Sequence, residues 1–230
     1  MLDSRDLNSV QGHRQRLKQR FLSGGLKAVA DYELLELLLF YANPRKDMKP
    51  LAKKLINHFG NFSKIFSASI DDLKKIDGIG EHTLILLKAI QATALLATKQ
   101  EIIKKPVFQS LPQLLDYCHL AMAHENKEQL RLFFLNNVNE LISEEVQQTG
   151  TVDHTAVYPR EIAKRALELN ATGLIMVHNH PSGLLKPSKD DINITKEVKF
   201  ILEKLNIILH DHLIITNKGH VSFAQLELLN

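Results

Sequence analysis

The chain has 230 residues, of which 44% are hydrophobic and 24% are charged, and its formal net charge is +3. This length fits one large domain or two small ones, and the ordinary apolar content excludes a disordered or fibrous chain. The single cysteine, Cys118, excludes a disulfide framework and a cysteine-based zinc cluster, so any metal would be held by histidines and carboxylates. No apolar run is long enough to span a membrane and the first residues do not resemble a signal peptide, which predicts a cytoplasmic protein without a membrane partner.

The charge is divided unevenly along the chain. Residues 1–105 contain 18 Lys and Arg against 11 Asp and Glu, whereas residues 106–230 contain 11 against 15. A basic half followed by an acidic half predicts two domains, 1–105 and 106–230, with different partners. DNA is a natural candidate partner for the basic half, although solvated helix faces explain the same excess.

The first half has the pattern of a helical domain. The segment Asp31–Tyr41 combines an aspartate suited to the N-cap position with leucines at helical spacing. A second helix precedes Gly60, a third lies near residues 71–76, and a long apolar helix follows Gly80. The charged, proline-containing stretch Thr98–Ser110 is predicted to be the linker between the domains.

A glycine turn precedes the long helix. Gly78 and Gly80 follow an apolar pattern typical of a helix-hairpin-helix element, whose tight turn points backbone amides outward at a helix N-terminus. Such amides can hold a phosphate, and they position a protein on DNA without reading its sequence. Neighbouring lysines would add charge attraction: Lys74, Lys75 and Lys88. The alternative is a packing turn that needs glycine only for its backbone conformation.

The second half alternates between helical and strand patterns. Helical patterns cover residues 111–124, 159–170 and 189–206, and strand patterns cover residues 129–136, 139–150, 171–180 and 206–223. The last of these contains a hairpin turn at Asn217–Gly219. This order predicts an α/β fold in which helices pack on a mixed sheet, joined to an all-α N-terminal domain.

The residues with the clearest chemistry are His178, His180 and Asp191. Two histidines separated by one residue at the end of a strand point to the same side and can chelate one ion. Two histidines and one carboxylate leave a fourth position for water, which is the arrangement of catalytic rather than structural Zn²⁺. An isolated histidine pair of this kind is usually a surface or core pair, but a third ligand at a defined spacing makes chance a poor explanation.

The sequence His178-Asn-His180-Pro181, followed by Ser188 three residues before Asp191, resembles the JAMM (MPN-plus) metalloprotease motif. Its form HNHPSG is similar to the RadC family in particular. RadC-like proteins also have an N-terminal helical region with a helix-hairpin-helix turn, so the resemblance covers essentially the whole chain. It implies a JAB/MPN-type α/β domain with zinc held by the two histidines and the aspartate.

The resemblance further implies a glutamate that acts as general base and a serine that assists it. Glu128, at the start of the domain's first strand, fits the place of the glutamate, and Glu144 and Glu145 on the next strand compete for that assignment. Ser188 would polarise the substrate carbonyl or stabilise its oxyanion. The same serine is also suited to cap the helix that carries the aspartate.

Two further histidines, His210 and His212, lie in a later strand pattern. Strict alternation puts both on one face, from which they would approach a metal. Histidines on a solvent-facing strand surface are commoner, and we assign these two no function.

The predicted function is zinc-dependent hydrolysis of a peptide or isopeptide bond in a peptide or protein substrate. The alternative is a DNA-repair-associated, DNA-binding protein whose zinc domain is a structural or interaction module. A third reading combines the two, since DNA binding by residues 1–105 would recruit the hydrolase to its substrate.

Overall fold

The computed structural model describes residues 4–103, 106–149 and 158–229. Its contacts divide the chain into two units, unit 1 (Met1–Thr93) and unit 2 (Ala94–Asn230). This division precedes the boundary expected at residue 105, because the second half of helix α6 (Glu81–Ile103) contributes Ile102 to the core of unit 2. No helix of the described part of the chain is long and apolar enough to cross a membrane.

Unit 1 is helical over its described residues. Its helices are α1 (Ser4–Gly24), α2 (Asp31–Ala42), α3 (Lys49–Phe59), α4 (Phe62–Ser67), α5 (Ile70–Lys74) and the first half of α6. The predicted helices α2, α3, α5 and α6 are confirmed, whereas no separate helix was predicted for α1 or α4. The N-cap of α2 is Ala30, and Asp31 is the first helical residue, so the predicted N-cap position of Asp31 is wrong. The carboxylate of Glu33 accepts a hydrogen bond from the backbone amide of Ala30.

Gly60 and Gly78 of unit 1 adopt a backbone conformation that other residues rarely reach. Gly60 ends α3 with φ of 92°, and Gly78 lies between α5 and α6 with φ of 98°. The lack of a Cβ allows both turns. They direct the short helices back onto one apolar core, which includes Leu35, Leu55 and Leu73.

The linker between the helical and the α/β parts of the chain is shorter than predicted. Helix α6 continues to Ile103, so the prediction that a linker begins at Thr98 is wrong. A single 3-10 turn covers Val107–Gln109, and residues 104 and 105 lie outside the described part of the chain. The apolar residue Ile102 explains the longer helix, because its burial stabilises the last turn.

Unit 2 contains a five-stranded mixed sheet with the strand order β2-β1-β3-β4-β5. Among the strands that the structure describes, only the β3–β4 pair is parallel, and a helical crossover joins these two strands. The elements after α6 are α7 (Leu111–Met122), β1 (Gln129–Leu135), β2 (Leu141–Thr149), α8 (Pro159–Glu168), β3 (Gly173–Asn179), α9 (Lys189–Lys204), β4 (Ile208–Thr216) and β5 (Gly219–Ser222). The predicted α/β class is confirmed.

Helices cover both faces of the sheet. Helix α7 packs on one face, where Phe133 and Val177 belong to a core that also includes Cys118. Helices α8 and α9 pack on the other face, where alternate residues such as Leu132 and Met176 form a second core. The side-chain period of two divides the inner strands between these cores, and residue 178 therefore faces α8 and α9.

The alternation is interrupted in β4. Leu174 of β3 pairs with Leu209, but the next residue, Ile175, pairs with Asp211, so His210 is an extra residue in this register. The interruption moves His212 onto the face of Leu209. The prediction that His210 and His212 share a face is therefore wrong.

Candidate metal centre

Three side chains that can donate to a metal meet at the end of β3. One ligand atom from each of His178, His180 and Asp191 lies within 4.8 Å of the others. The two histidine Nε2 atoms are 2.8 Å apart, and each lies 3.4 Å from one oxygen of the aspartate. The structure thus brings together the three residues that the spacing grouped.

The local structure explains how the three residues reach one place. His178 is the penultimate residue of β3, and His180 follows the strand on the same face. Asp191 lies in the first turn of α9, the crossover helix that returns the chain from β3 to β4. Because α9 packs on the face to which both histidines point, its first turn lies beside them.

The helix cap orients the carboxylate of Asp191. The hydroxyl of Ser188 accepts a hydrogen bond from the Asp191 amide at 3.0 Å, and the Ser188 amide donates to the carboxylate at 2.7 Å. Burial opposes the charge of Asp191, but hydrogen bonds with His180 and Ser188 hold the pKa of its carboxyl well below the ordinary value. The aspartate is therefore a carboxylate at neutral pH.

Both histidines are nearly inaccessible to solvent. Burial lowers the pKa of His178 to about 4, so its imidazole is neutral at pH 7. Burial also lowers the pKa of His180, but hydrogen bonds with Asp191 and the Leu184 carbonyl outweigh it and raise this pKa above the ordinary value. The Nδ1 atom of His180 lies 2.9 Å from the Leu184 oxygen, so this nitrogen carries a proton and donates.

The donor set fits a divalent metal such as zinc. Bonds of about 2.0–2.1 Å in a tetrahedral site place neighbouring ligand atoms about 3.3–3.4 Å apart. The two nitrogen–oxygen separations match this value, and the two nitrogens are closer. Two imidazoles and one carboxylate are ligands that zinc accepts, and they are too few to close its coordination.

Glu128 lies beside these ligands. In the antiparallel register Leu130 of β1 pairs with His178, so Glu128, two residues earlier, faces the same side near His180. The negative charge of Glu128 contributes to the raised pKa of His180. A cavity of about 640 Å³ is lined by the three ligands, by Glu128 and by Ser188.

The competing glutamates lie elsewhere. Glu144 is buried and forms ion pairs with Arg131 at 2.7 Å and Lys99 at 2.6 Å. Glu145 pairs with Arg165 of α8 at 2.7 Å. Neither glutamate lines the cavity, so Glu128 is the one of the three that the fold places near the ligands.

Three buried residues beside these side chains were not among the site residues predicted from the sequence. His212 lies 2.7 Å from Nδ1 of His178, and Thr195 lies 2.6 Å from His212. Asn179, between the two histidines, binds the start of β1 through Gln129 and the segment before it through Lys127. The four-residue spacing between Asp191 and Thr195 indicates that both lie on one face of the helix, so Thr195 could have been found from the sequence. The position of His212 depends instead on strand order and on the interrupted register.

The predicted nucleic-acid residues lie at the α5–α6 turn of unit 1. Gly78 and Gly80 form the turn, and Lys74 and Lys75 are exposed at the end of α5. Lys75 pairs with Asp72 at 2.7 Å. Lys88 instead donates to the backbone oxygens of Phe66 and Ala68, at 2.9 and 2.6 Å, and so has a structural role.

Comparison with known proteins gives matches over both halves of the chain. The family described as RadC-like JAB domain matches residues 108–228, and the family described as UPF0758 N-terminal matches residues 11–85. A UPF0758 protein from Ruegeria pomeroyi is 48% identical over 214 residues, which cover 93% of this chain and 96% of that protein.

Proposed function

We propose, from the premise that this chain belongs to the family with a RadC-like JAB domain, that it is a metal-dependent hydrolase of peptide or isopeptide bonds. The observation that carries the proposal is the convergence of His178, His180 and Asp191 in a cavity that Glu128 also lines. Three protein ligands beside an open cavity are typical of a catalytic metal site, whereas structural sites use four.

The three ligands would hold the metal, for which zinc is our proposal. A divalent ion bound there would supply Lewis-acid polarisation of a carbonyl and would lower the pKa of its bound water to about 7. The cavity of about 640 Å³ leaves room for an extended substrate chain beside the ligands.

Glu128, which lines the same cavity, would act as the general base. Its carboxylate would accept a proton from the attacking water and deliver it to the leaving amine as the amide C–N bond breaks. The amine product leaves with this proton, so Glu128 ends the cycle as a carboxylate. Ser188 lines the same cavity, where its hydroxyl would donate to the developing oxyanion while its lone pairs cap α9.

Hydrolysis of quenched fluorescent peptides and isopeptide-linked peptides by the zinc-loaded full chain would test the proposal. We expect Glu128→Gln to lower kcat by about 10²–10⁴-fold, because the amide keeps the shape but cannot accept the proton. The matched control is Glu145→Gln on β2, which lies outside the cavity and should cleave at the rate of the unmodified chain.

Two outcomes would contradict the enzymatic proposal. One is the absence of cleavage by protein that has bound one equivalent of zinc, and the other is equal cleavage by Glu128→Gln and the unmodified chain. Zinc binding without cleavage, together with a large loss of thermal stability on metal removal, would support the structural or interaction module instead.

We also propose that unit 1 binds DNA. The observation in favour is the Gly78 turn with positive φ before the 23-residue helix α6, next to the exposed Lys74 and Lys75. Backbone amides at such a turn and nearby ammonium groups contact phosphates irrespective of sequence.

A further inference from the structure

A chain of short hydrogen bonds leads away from the ligand His178. Its Nδ1 atom is 2.7 Å from Nε2 of His212, and Nδ1 of His212 is 2.6 Å from the hydroxyl oxygen of Thr195. The hydroxyl is in turn 2.5 Å from the carbonyl oxygen of Asp191. All of these side chains are buried, and His212 and Thr195 are each only 1% exposed.

The carbonyl oxygen of Asp191, at the end of this series, fixes the direction of each hydrogen bond. A carbonyl oxygen can only accept, so the Thr195 hydroxyl donates its one proton to Asp191. The hydroxyl oxygen then offers only lone pairs to the His212 ring. His212 must therefore carry its proton on Nδ1 and donate it to Thr195.

The same reasoning extends to the ligand. With the ring proton of His212 on Nδ1, its Nε2 has a lone pair and accepts a hydrogen bond. His178 must then donate from Nδ1, which leaves the lone pair of its ring on Nε2. That is the nitrogen that faces His180 and Asp191.

We propose that His212 and Thr195 are positioning residues that hold His178 in the tautomer whose Nε2 lone pair points into the metal site. The proposal rests on the proposed metal site. The series of hydrogen bonds begins at His178 and ends at the backbone carbonyl of Asp191. It therefore also holds β3 and the first turn of α9 in one arrangement.

The packing around His212 restricts its ring. Phe223 stacks on the imidazole, with ring centres 4.6 Å apart and an angle of 28° between the planes. The ring cannot rotate freely against this neighbour while both nitrogens keep their hydrogen bonds. A partner that fixes the tautomer and orientation of a ligating histidine raises metal affinity, and its loss typically costs about 10–100-fold.

Two substitutions at Thr195 in the full chain would test the proposal. Thr195→Val keeps the shape and removes the hydroxyl, whereas Thr195→Ser keeps the hydroxyl. We expect the valine variant to bind Zn²⁺ about 10-fold or more weakly in competition with a chelating dye, and the serine variant to stay within about threefold of the unmodified chain.

Long-range ¹H–¹⁵N spectra of the histidines in the metal-free protein provide a second measurement. His178 should be the Nδ1–H tautomer in the unmodified chain and in Thr195→Ser, and a mixture of tautomers in Thr195→Val. A merely structural role of Thr195 would leave these signals unchanged. Absence of zinc binding by the unmodified chain would count against the proposed function, while the tautomer signals would still decide the present proposal.

A second pair of variants applies if the valine variant does not fold. His212→Phe keeps the ring and removes both nitrogens, and His212→Gln keeps one donor and one acceptor. We expect the phenylalanine variant to lose more affinity for Zn²⁺ than the glutamine variant. Equal affinities within either pair, or an unchanged His178 tautomer in Thr195→Val, would overturn the proposal.

Discussion

The side-chain oxygen of Asn179 accepts a hydrogen bond from the backbone amide of Gln129 at 2.8 Å. The nitrogen of the same side chain donates to the Lys127 carbonyl at 3.0 Å, so one asparagine binds the chain on both sides of Glu128. Asn179 is 1% exposed and stands between the two histidine ligands in sequence. Alternation points it to the opposite face of β3, where it ties the ligand strand to the segment of the proposed general base.

We therefore expect Asn179→Ala to loosen the segment before β1. Losing its three hydrogen bonds, to Glu125, Lys127 and Gln129, should destabilise this segment by about 1–3 kcal/mol and speed amide exchange at Gln129 about 10-fold or more. Zn²⁺ affinity should stay within about threefold, because both imidazoles keep their own hydrogen bonds.

Hydrogen–deuterium exchange of residues 125–130 measures this effect. Asn136→Ala is the matched control, since Asn136 also accepts from backbone amides, but in the β1–β2 turn. Unchanged exchange at Gln129 in Asn179→Ala, or the same acceleration in both variants, would show that Asn179 does not hold this segment.

The metal proposal predicts a ligand-specific change in thermal stability. Zinc that binds only the folded chain raises its stability, by about 2.7 kcal/mol at a concentration 100 times the Kd. We expect Asp191→Asn to abolish this increase, because the amide removes the charged ligand from the site.

Thermal unfolding with zinc and with a chelator measures the difference. The control is Asp190→Asn in the same first turn of α9, whose side chain is exposed and does not belong to the ligand group. The prediction fails if both variants respond to zinc alike.

Glu144 should contribute to the acid sensitivity of unit 2. Burial opposes its charge, but hydrogen bonds from Lys99 and Arg131 outweigh it and lower the pKa of its carboxyl from the ordinary 4.5. A carboxyl whose pKa is lower in the folded state stabilises the fold fully above its unfolded pKa, and this contribution disappears as the pH falls through its folded pKa. The chain should therefore lose stability below about pH 4.5.

Glu144→Gln should reduce stability at pH 7 by about 1.5–3 kcal/mol and make the decline below pH 4.5 shallower, because the ion pairs are already lost. Urea unfolding from pH 7 to pH 3 measures both effects. Glu203→Gln removes an exposed ion pair with Lys199 and should change the stability at pH 7 by less than about 0.5 kcal/mol. Parallel pH profiles for Glu144→Gln and the unmodified chain would contradict the assignment.

DNA binding by the full chain should depend steeply on salt, because Lys and Arg contacts to phosphates release counterions. We expect Lys74→Glu combined with Lys75→Glu to weaken binding to duplex DNA about 10-fold or more and to reduce the slope of log K against log salt by about 2.

Fluorescence anisotropy with a labelled duplex measures both quantities. The control combines Lys164→Glu with Lys196→Glu, which make the same charge change on exposed helix positions of unit 2. Equal weakening by both double variants would indicate a general charge effect, and salt-independent binding would contradict contact with phosphates.

The sequence by itself predicted most of the helices and strands and grouped the three residues that could hold a metal. His178 and His180 are two residues apart at a strand end, and Asp191 follows three residues after a capping serine. These relationships are local, because strand alternation and helix capping act within a few residues. The α/β class of the second half and the helical first half follow from the same local periodicities.

Only the tertiary structure decided which residues surround those ligands. Glu128 lies near the ligands because β1 pairs with β3, whereas Glu144 and Glu145 make ion pairs elsewhere. His212 approaches His178 because β4 lies beside β3 and one extra residue shifts the register. Strand order and register depend on long-range packing, and a one-residue shift turns each following side chain to the other face, so local patterns cannot specify these neighbours.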